Sequence, residues 1–271
     1  LASKIAYNEN QRVKLIELPV IRDNRGSLTP IELEYDIPFE VKSVRWTKGK
    51  SLENAFKYLE EEVSNKIILI LSGFVEITSD TDSYLLDKPN VGLVISKGTN
   101  VKLARQSRDI ICLILSDTEA PKGDGGIQSN ELKPNNYSID ECLTIDMDYK
   151  GVDGLCSAAN TPFAIKRIFY IYDVPNGVER GGHMHKSCHE VLIALNGAFS
   201  VELNDGANNS IVDLNDASSG LFLPAGIWAK QTSYIDGALC LVFASEAYDA
   251  AGYIDDYDDF VTYRKNENTS I

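Results

Sequence analysis

A chain of 271 residues with 26 Lys and Arg against 40 Asp and Glu carries a net charge of −14. That balance argues against nucleic acid and anionic membrane as partners, since both need a basic footprint. The 44% apolar residues suffice for real cores, and 24% charge speaks against disorder.

The opening run LASKIAYNENQRVKLIEL lacks the apolar core of a signal peptide. No apolar run approaches the ~18 residues of a membrane span, so a cytoplasmic protein is expected. Short runs rich in Val, Ile, Leu and aromatics come next, separated by turns such as Asn204-Asp205-Gly206, and they read as β-strands. One helix is expected around Leu52–Ser64, where Glu and Lys are frequent. The stretch from Glu119 through Pro121 to Gly126, then polar to Asn136, reads as a linker. Domains are therefore expected at 1–120 and 135–271. The five cysteines are scattered without a CxxC pair, as befits reduced, mostly buried residues rather than a zinc ribbon.

The chain repeats itself. Residues 38–46 (Pro-Phe-Glu-Val-Lys-Ser-Val-Arg-Trp) recur at 162–170 (Pro-Phe-Ala-Ile-Lys-Arg-Ile-Phe-Tyr), and Leu71-Ser72-Gly73 meets Leu195-Asn196-Gly197 at the same shift. Further on, Gly92–Ile95 matches Gly220–Leu223, and Cys112–Leu115 matches Cys240–Phe243. Two copies point to paired domains rather than a solenoid. Regular strands with tight turns suggest a sandwich or jelly-roll barrel in each half.

All three histidines fall within seven residues, His183, His185 and His189, with Glu190 next. Histidine titrates nearest neutral pH and is the commonest metal ligand, so the chemistry is expected there. Residues i and i+2 of a strand share a face, so His183 and His185 can both point into a barrel, and Glu190 can join them after a local irregularity.

The segment from Gly177 to Gly197 fits the first cupin motif, G-x5-H-x-H-x4-E-x6-G, through Gly177, His183, His185, Glu190 and Gly197. In the second motif, P-x-G-x-x-H, Pro224 and Gly226 are present, but Ala229 stands where the histidine would be. Arg180-Gly181-Gly182-His183-Met184-His185-Lys186 resembles the R-G-x-H-A-H-K signature of the nucleotide-sugar 3,4-ketoisomerases. The tail Ala244-Ser245 to Tyr248-Asp249, with Tyr253-Ile254 to Tyr257-Asp258 and Phe260, is similar to that family's C-terminus. Asp23-Asn24-Arg25-Gly26-Ser27-Leu28 and Ile37-Pro38-Phe39 resemble its N-terminal boxes.

The resemblance implies an all-β chain of two tandem cupin jelly-roll barrels packed as an intrachain pseudo-dimer. It is a monomer in that form or a homodimer, since single-cupin relatives dimerise and exchange N-terminal strands. The implied reaction converts a dTDP-linked 4-keto-6-deoxyhexose into its 3-keto isomer through an enediolate, with no cofactor and no metal. The product usually feeds an aminotransferase, on the way to amino sugars of surface polysaccharides such as O-antigen. His183 and His185 are expected as the carbon base and the oxygen-bound proton shuttle, in an order the sequence does not fix, and Arg180 as the charge at the oxyanion. Tyr170, Tyr172 and Trp228 are candidates for the sugar or base pocket, with core packing as the competing reading. Arg25, Lys166, Arg167 and Lys186 are candidates for the diphosphate, with solvated surface charge as theirs. Glu190, a substrate-pocket candidate, replaces the family's glutamine, and the Arg-Gly-Ser-Leu box of the second half has become Val152-Asp153-Gly154-Leu155.

In the first half, His183 aligns with Leu59, His185 with Glu61, Arg180 with Phe56 and Glu190 with Lys66, so that half is expected to be inactive. Two other readings compete. One is a metal-dependent cupin enzyme with a His183, His185 and Glu190 triad. The other is a non-catalytic sugar-nucleotide-binding protein.

Overall fold

The computed structural model describes residues 12–61, 63–119, 132–133, 137–147 and 155–269. Residues 120–131 and 134–136 of the expected linker, and Val152-Asp153-Gly154 of the altered box, lie outside them. The chain is mostly β, in antiparallel strands with few helices, as expected. It divides into two compact units. The first takes the described residues of Leu1–Val20, Ile31–Gly125 and Met147–Asn160; the second takes those of Ile21–Pro30, Gly126–Asp146 and Thr161–Ile271. Residues 21–30 are thus near the start of the chain and yet count with the second unit.

In the first unit a six-stranded sheet runs in the order Val13–Glu17, Val91–Ile95, Lys66–Ser72, Ile111–Ser116, Ser43–Lys48 and Leu155–Ser157. A three-stranded sheet holds Ser83–Leu86, Val75–Ser79 and Val101–Gln106. Their inward residues, among them Ile68, Ile70, Val75, Ile77, Leu93 and Ile114, form one core. The expected helix is present at Leu52–Glu61, where buried Leu52, Ala55 and Phe56 make the i, i+3, i+4 stripe that seats it.

The second unit is a ten-stranded sheet. Its main path is Thr144–Asp146, Ser219–Leu223, Glu190–Asn204, Trp228–Ala244, Arg167–Tyr172, Gly26–Glu32 and Ile21–Asp23. Two strands dominate: Glu190–Asn204, the glutamate strand, and Trp228–Ala244, the return strand, pair along their whole length. Their register shifts between Ala194 and Ser200, where Gly197 takes φ 59°. Such irregularities bend a pair of strands sharply, which lets one hairpin serve both walls of a barrel. In the first unit the same hairpin is cut into separate strands around Gly73, the residue that Gly197 matches. Alternate residues of the second unit's long strands (Leu192, Ala194, Val201, Ala229, Cys240, Val242) fill the interior with Ile171 and Phe199.

The Asn204-Asp205-Gly206 turn forms as expected: Asp205 Oδ1 accepts from the amides of Ala207 (2.9 Å) and Asn208 (2.8 Å). A helix at Tyr257–Thr269, absent from the sequence-based reading, closes the chain. Asp256 starts it by accepting from the amides of Asp258 and Asp259. Buried Arg264 fastens it, donating from Nε to the Asp205 carbonyl (2.7 Å) and from Nη2 to the Tyr137 carbonyl (2.8 Å). Four of the five cysteines are buried. No helix among the described residues is long and apolar enough to cross a membrane.

The Ile21–Asp23 and Gly26–Glu32 hairpin lies close to the end of Arg167–Tyr172. Gly26 sits at φ +113°, and a Cβ there would stand 2.9 Å from the carbonyl oxygens of both Tyr172 and Asp173. Only glycine fits that crossing. Gly26→Ala is expected to destabilise the protein by about 1–3 kcal/mol, the scale of a strained backbone position, and to lower the melting temperature in a thermal denaturation scan.

Candidate active site

The strand Arg180–His185, the histidine strand, pairs with the return strand, setting Arg180 against Gln231 and His183 against Ala229. Arg180 and His183 are three residues apart, and in a regular strand they would face opposite sides. A register shift between Gly181 and His183 corrects this, with Gly181 at φ 71° and Gly182 at φ 74°. Gln231 and Ala229 share a face, so Arg180, His183 and His185 share it too. It is the interior face, since Ala229 belongs to the core. The histidine strand also pairs with Tyr253–Ile254, placing Tyr253 opposite His185.

The imidazoles of His183 and His185 meet edge to face with ring centres 5.0 Å apart. His185 is buried and His183 half-buried. His185 Nε2 is 3.3 Å from Glu190 Oε1, and the buried Arg167 Nη2 stands 3.8 Å from the same oxygen. Arg167 and Glu190 both oppose Ala244 of the return strand, one from each side, which explains why they converge. Burial alone would raise the Glu190 carboxyl, but the charges of His185, His183 and Arg167 outweigh it and hold it below the usual range. Burial lowers the His183 imidazole, and the neighbouring His185 lowers it further. The site therefore keeps an ionised carboxylate behind a neutral, accessible base.

Tyr253 completes the group. Its ring centre is 4.3 Å from that of His185 and 5.0 Å from that of His183, and its hydroxyl accepts a hydrogen bond from Arg167 Nη2 at 3.3 Å. Arg167 also stacks on Phe169 and Tyr248, with Cζ 5.1 and 5.6 Å from the ring centres.

A family described as "FdtA: WxcM-like, C-terminal" matches residues 11–124 and again 138–265. The chain belongs to that family. It is similar to a TDP-4-oxo-6-deoxy-alpha-D-glucose-3,4-oxoisomerase of Aneurinibacillus thermoaerophilus, 36% identical over 104 residues, or 38% of this chain and 75% of that protein. Among solved structures it is similar to QdtA, a sugar 3,4-ketoisomerase from Thermoanaerobacterium thermosaccharolyticum in complex with TDP (32% identity, 48% of this chain and 98% of that one, TM-score 0.45). A 3,4-ketoisomerase from Helicobacter canadensis shares 35% identity over 46% of this chain and 98% of that one, with a TM-score of 0.44.

The FdtA-like match covers both halves, but only the second carries the histidines. In the first unit, Leu59 and Glu61 lie on the helix Leu52–Glu61, so a helix stands where the second unit has its histidine strand. A cavity of about 200 Å³ is lined there by Phe56, Lys66 and Ile68, with Thr99 and Asn100. Phe56 aligns with Arg180 and Lys66 with Glu190, so the carboxylate position has changed sign and no imidazole is present.

The structure brings His183, His185, Glu190 and Arg167 together, and it sorts the other candidates elsewhere. Arg180 Nη1 donates to the Arg25 carbonyl at 3.3 Å and lies 3.5 Å from Asp23 Oδ1. Burial, and then Arg25, lowers its pKa. It clamps the turn that carries Arg25, whose own exposed guanidinium is held by Asp23 at 2.7 Å. Tyr170 and Tyr172 alternate with Arg167, Phe169 and Ile171, so they occupy the opposite face of their strand, where the Tyr172 hydroxyl is 3.3 Å from Thr29 Oγ1. Trp228 packs against Tyr257 and Phe260 of the C-terminal helix, on the face opposite Ala229. Lys186 is exposed and donates to the Ala251 carbonyl at 2.8 Å.

Tyr253, Tyr248 and Asp23 were not singled out from the sequence, although each lies inside a motif that resembles the family's. A metal fits these residues poorly. Ala229 offers a methyl group opposite His183, and the Arg167 guanidinium, 3.8 Å from Glu190 Oε1, already sets a positive charge beside that carboxylate. Among the described residues no group of three His, Cys, Asp or Glu has metal-holding geometry.

His189 has a structural place. Its Nδ1 accepts from the Ala225 amide at 3.1 Å, and its ring packs among Tyr137, Phe163 and Phe222. Burial lowers its pKa, against the opposing charge of Glu246. With folded pKa values below the ordinary 6.5, His183 and His189 bind fewer protons than in the unfolded chain. Stability should therefore rise with pH across the interval from their folded pKa values to 6.5, and be lost as pH falls through it. NMR titration of the imidazole protons should give midpoints below 6.5 for both.

Proposed function

We propose that the second unit isomerises a dTDP-linked 4-keto-6-deoxyhexose to its 3-keto isomer, as the activity of its relatives suggests, and that each chain holds one such site. The observation that carries the reading is the pair of interior imidazoles, one neutral and accessible, the other backed by a buried carboxylate. Such a pair can move one proton on carbon and another between oxygens without a cofactor.

The chemistry runs as a balanced proton relay. Neutral His183 takes the C3 proton; the C–H pair becomes the C3–C4 double bond, and the carbonyl pair moves to O4. His185 transfers the O3 proton to O4, with Glu190 stabilising the imidazolium formed on the way. His183 then returns its proton to C4, and C3 becomes the ketone. His185, His183 and Arg167 together keep Glu190 ionised. Arg180 acts by holding the Asp23–Arg25 turn beside the same strand, with Arg25 as a diphosphate partner from that turn. We place the product before an aminotransferase in deoxyamino-sugar synthesis, since a 3-ketone is what such an enzyme needs.

Conversion of dTDP-4-keto-6-deoxyglucose, followed by NMR, tests the reading. His183→Asn and His185→Asn should each lower turnover by at least ~100-fold, the scale of a positioned acid or base, with melting behaviour near that of the parent. His189→Asn should change turnover far less. Wild-type turnover in both of the first two variants would rule out this site. Chelator treatment should leave the rate unchanged, and a stoichiometric metal needed for turnover would favour the metal-dependent alternative.

A further inference from the structure

The proton relay needs a partner for the negative charge that develops on O4, and Arg180, expected from the sequence to supply it, is engaged with Asp23 and Arg25. Tyr253 is placed for that task. Its ring lies against both imidazoles, so the phenol borders the same surface that His183 and His185 offer a sugar. The hydroxyl accepts from Arg167 Nη2, so its own proton remains to be donated. Arg167, buried between Phe169, Tyr248 and Glu190, is held firmly enough to orient that hydroxyl. Burial pushes the phenol up to about 12, with Arg167 opposing, so the group stays a neutral donor throughout the working range.

We propose that Tyr253 is a third catalytic residue, whose hydroxyl donates a hydrogen bond to the sugar O4 as the enediolate forms. This rests on the ketoisomerase reading of the site. No bond to Tyr253 forms or breaks. Arg167 polarises the phenol, and the phenol steadies the charge left when C3 loses its proton. A fixed donor of this kind, aimed where charge develops, gains strength from exclusion of water.

Tyr253→Phe keeps the ring and removes only the hydroxyl. The expected result is a kcat lower by ~100-fold, the usual loss for one oxyanion donor, with KM within a few-fold. Exchange of the C3 hydrogen in deuterated water should slow by the same factor, because enediolate formation is the step assisted. Titration with dTDP should show binding like that of the parent, a sign that the fold and nucleotide site are intact. A kcat within threefold of the parent, or a fall in kcat with C3 exchange unchanged, would overturn the proposal. Should the phenylalanine variant not bind dTDP, 3-fluorotyrosine at position 253 keeps the shape and lowers the phenol pKa. The alkaline limb of the kcat profile should then move to lower pH, and an unmoved limb would overturn the proposal. His183→Asn separates the two levels of inference. An inactive His183→Asn beside a fully active Tyr253→Phe defeats the tyrosine alone, whereas an active His183→Asn defeats the site.

Discussion

Without the irregularity at Gly181 and Gly182, Arg180 would point away from the barrel interior and the strand could not serve two purposes at once. The bulge turns the backbone by one residue, so that three functional side chains separated by odd and even spacings all face inward. The remaining contacts of the site are built on that face. His185 meets Glu190, Glu190 meets Arg167, and Arg167 meets Tyr253. Each of these groups would be costly to bury alone, and each is compensated by the next. A side chain at Gly181 would collide with the Ala229 carbonyl at 2.9 Å, so the bulge is fixed by the return strand as well as by the two glycines.

The duplication shows how such a site is lost. In the first unit the stretch equivalent to the histidine strand is the helix Leu52–Glu61. A helix cannot hold residues i and i+2 on one face, so the paired geometry is gone independently of which side chains occupy it. Lys66 in place of Glu190 reverses the charge that would have backed an imidazole. The core strands around it, by contrast, retain their matched order.

Much of this was legible in the sequence. The repeat, the strand-rich pattern, the helix at Leu52–Glu61 and the inward histidine pair could be read from spacing, and Glu190 fell in with them. Other features were not, for physical reasons. The C-terminal helix has little apolar periodicity and is anchored by the polar reach of Arg264, which hydropathy does not register. Tyr170 and Tyr172 are pocket candidates as aromatics, but strand parity sends them to the far face. Trp228 faces the C-terminal helix for the same reason. Arg167, a diphosphate candidate by residue type, is instead placed across from Glu190 by its strand neighbour Ala244. Tyr253 comes from a two-residue strand 68 positions beyond His185, a pairing no local pattern announces.

The placement of residues 21–30 bears on how the chain is made. During synthesis this hairpin emerges early, yet its sheet neighbour Arg167–Tyr172 is added well over a hundred residues later. The first unit waits in turn for Leu155–Ser157 to complete its edge. Neither sheet can close on the ribosome in simple chain order, so folding carries a high contact order and the associated delay. An early hairpin with unpaired edges is meanwhile open to pairing with the wrong chain, and the short length and charged turn of Ile21–Asp23 limit that hazard.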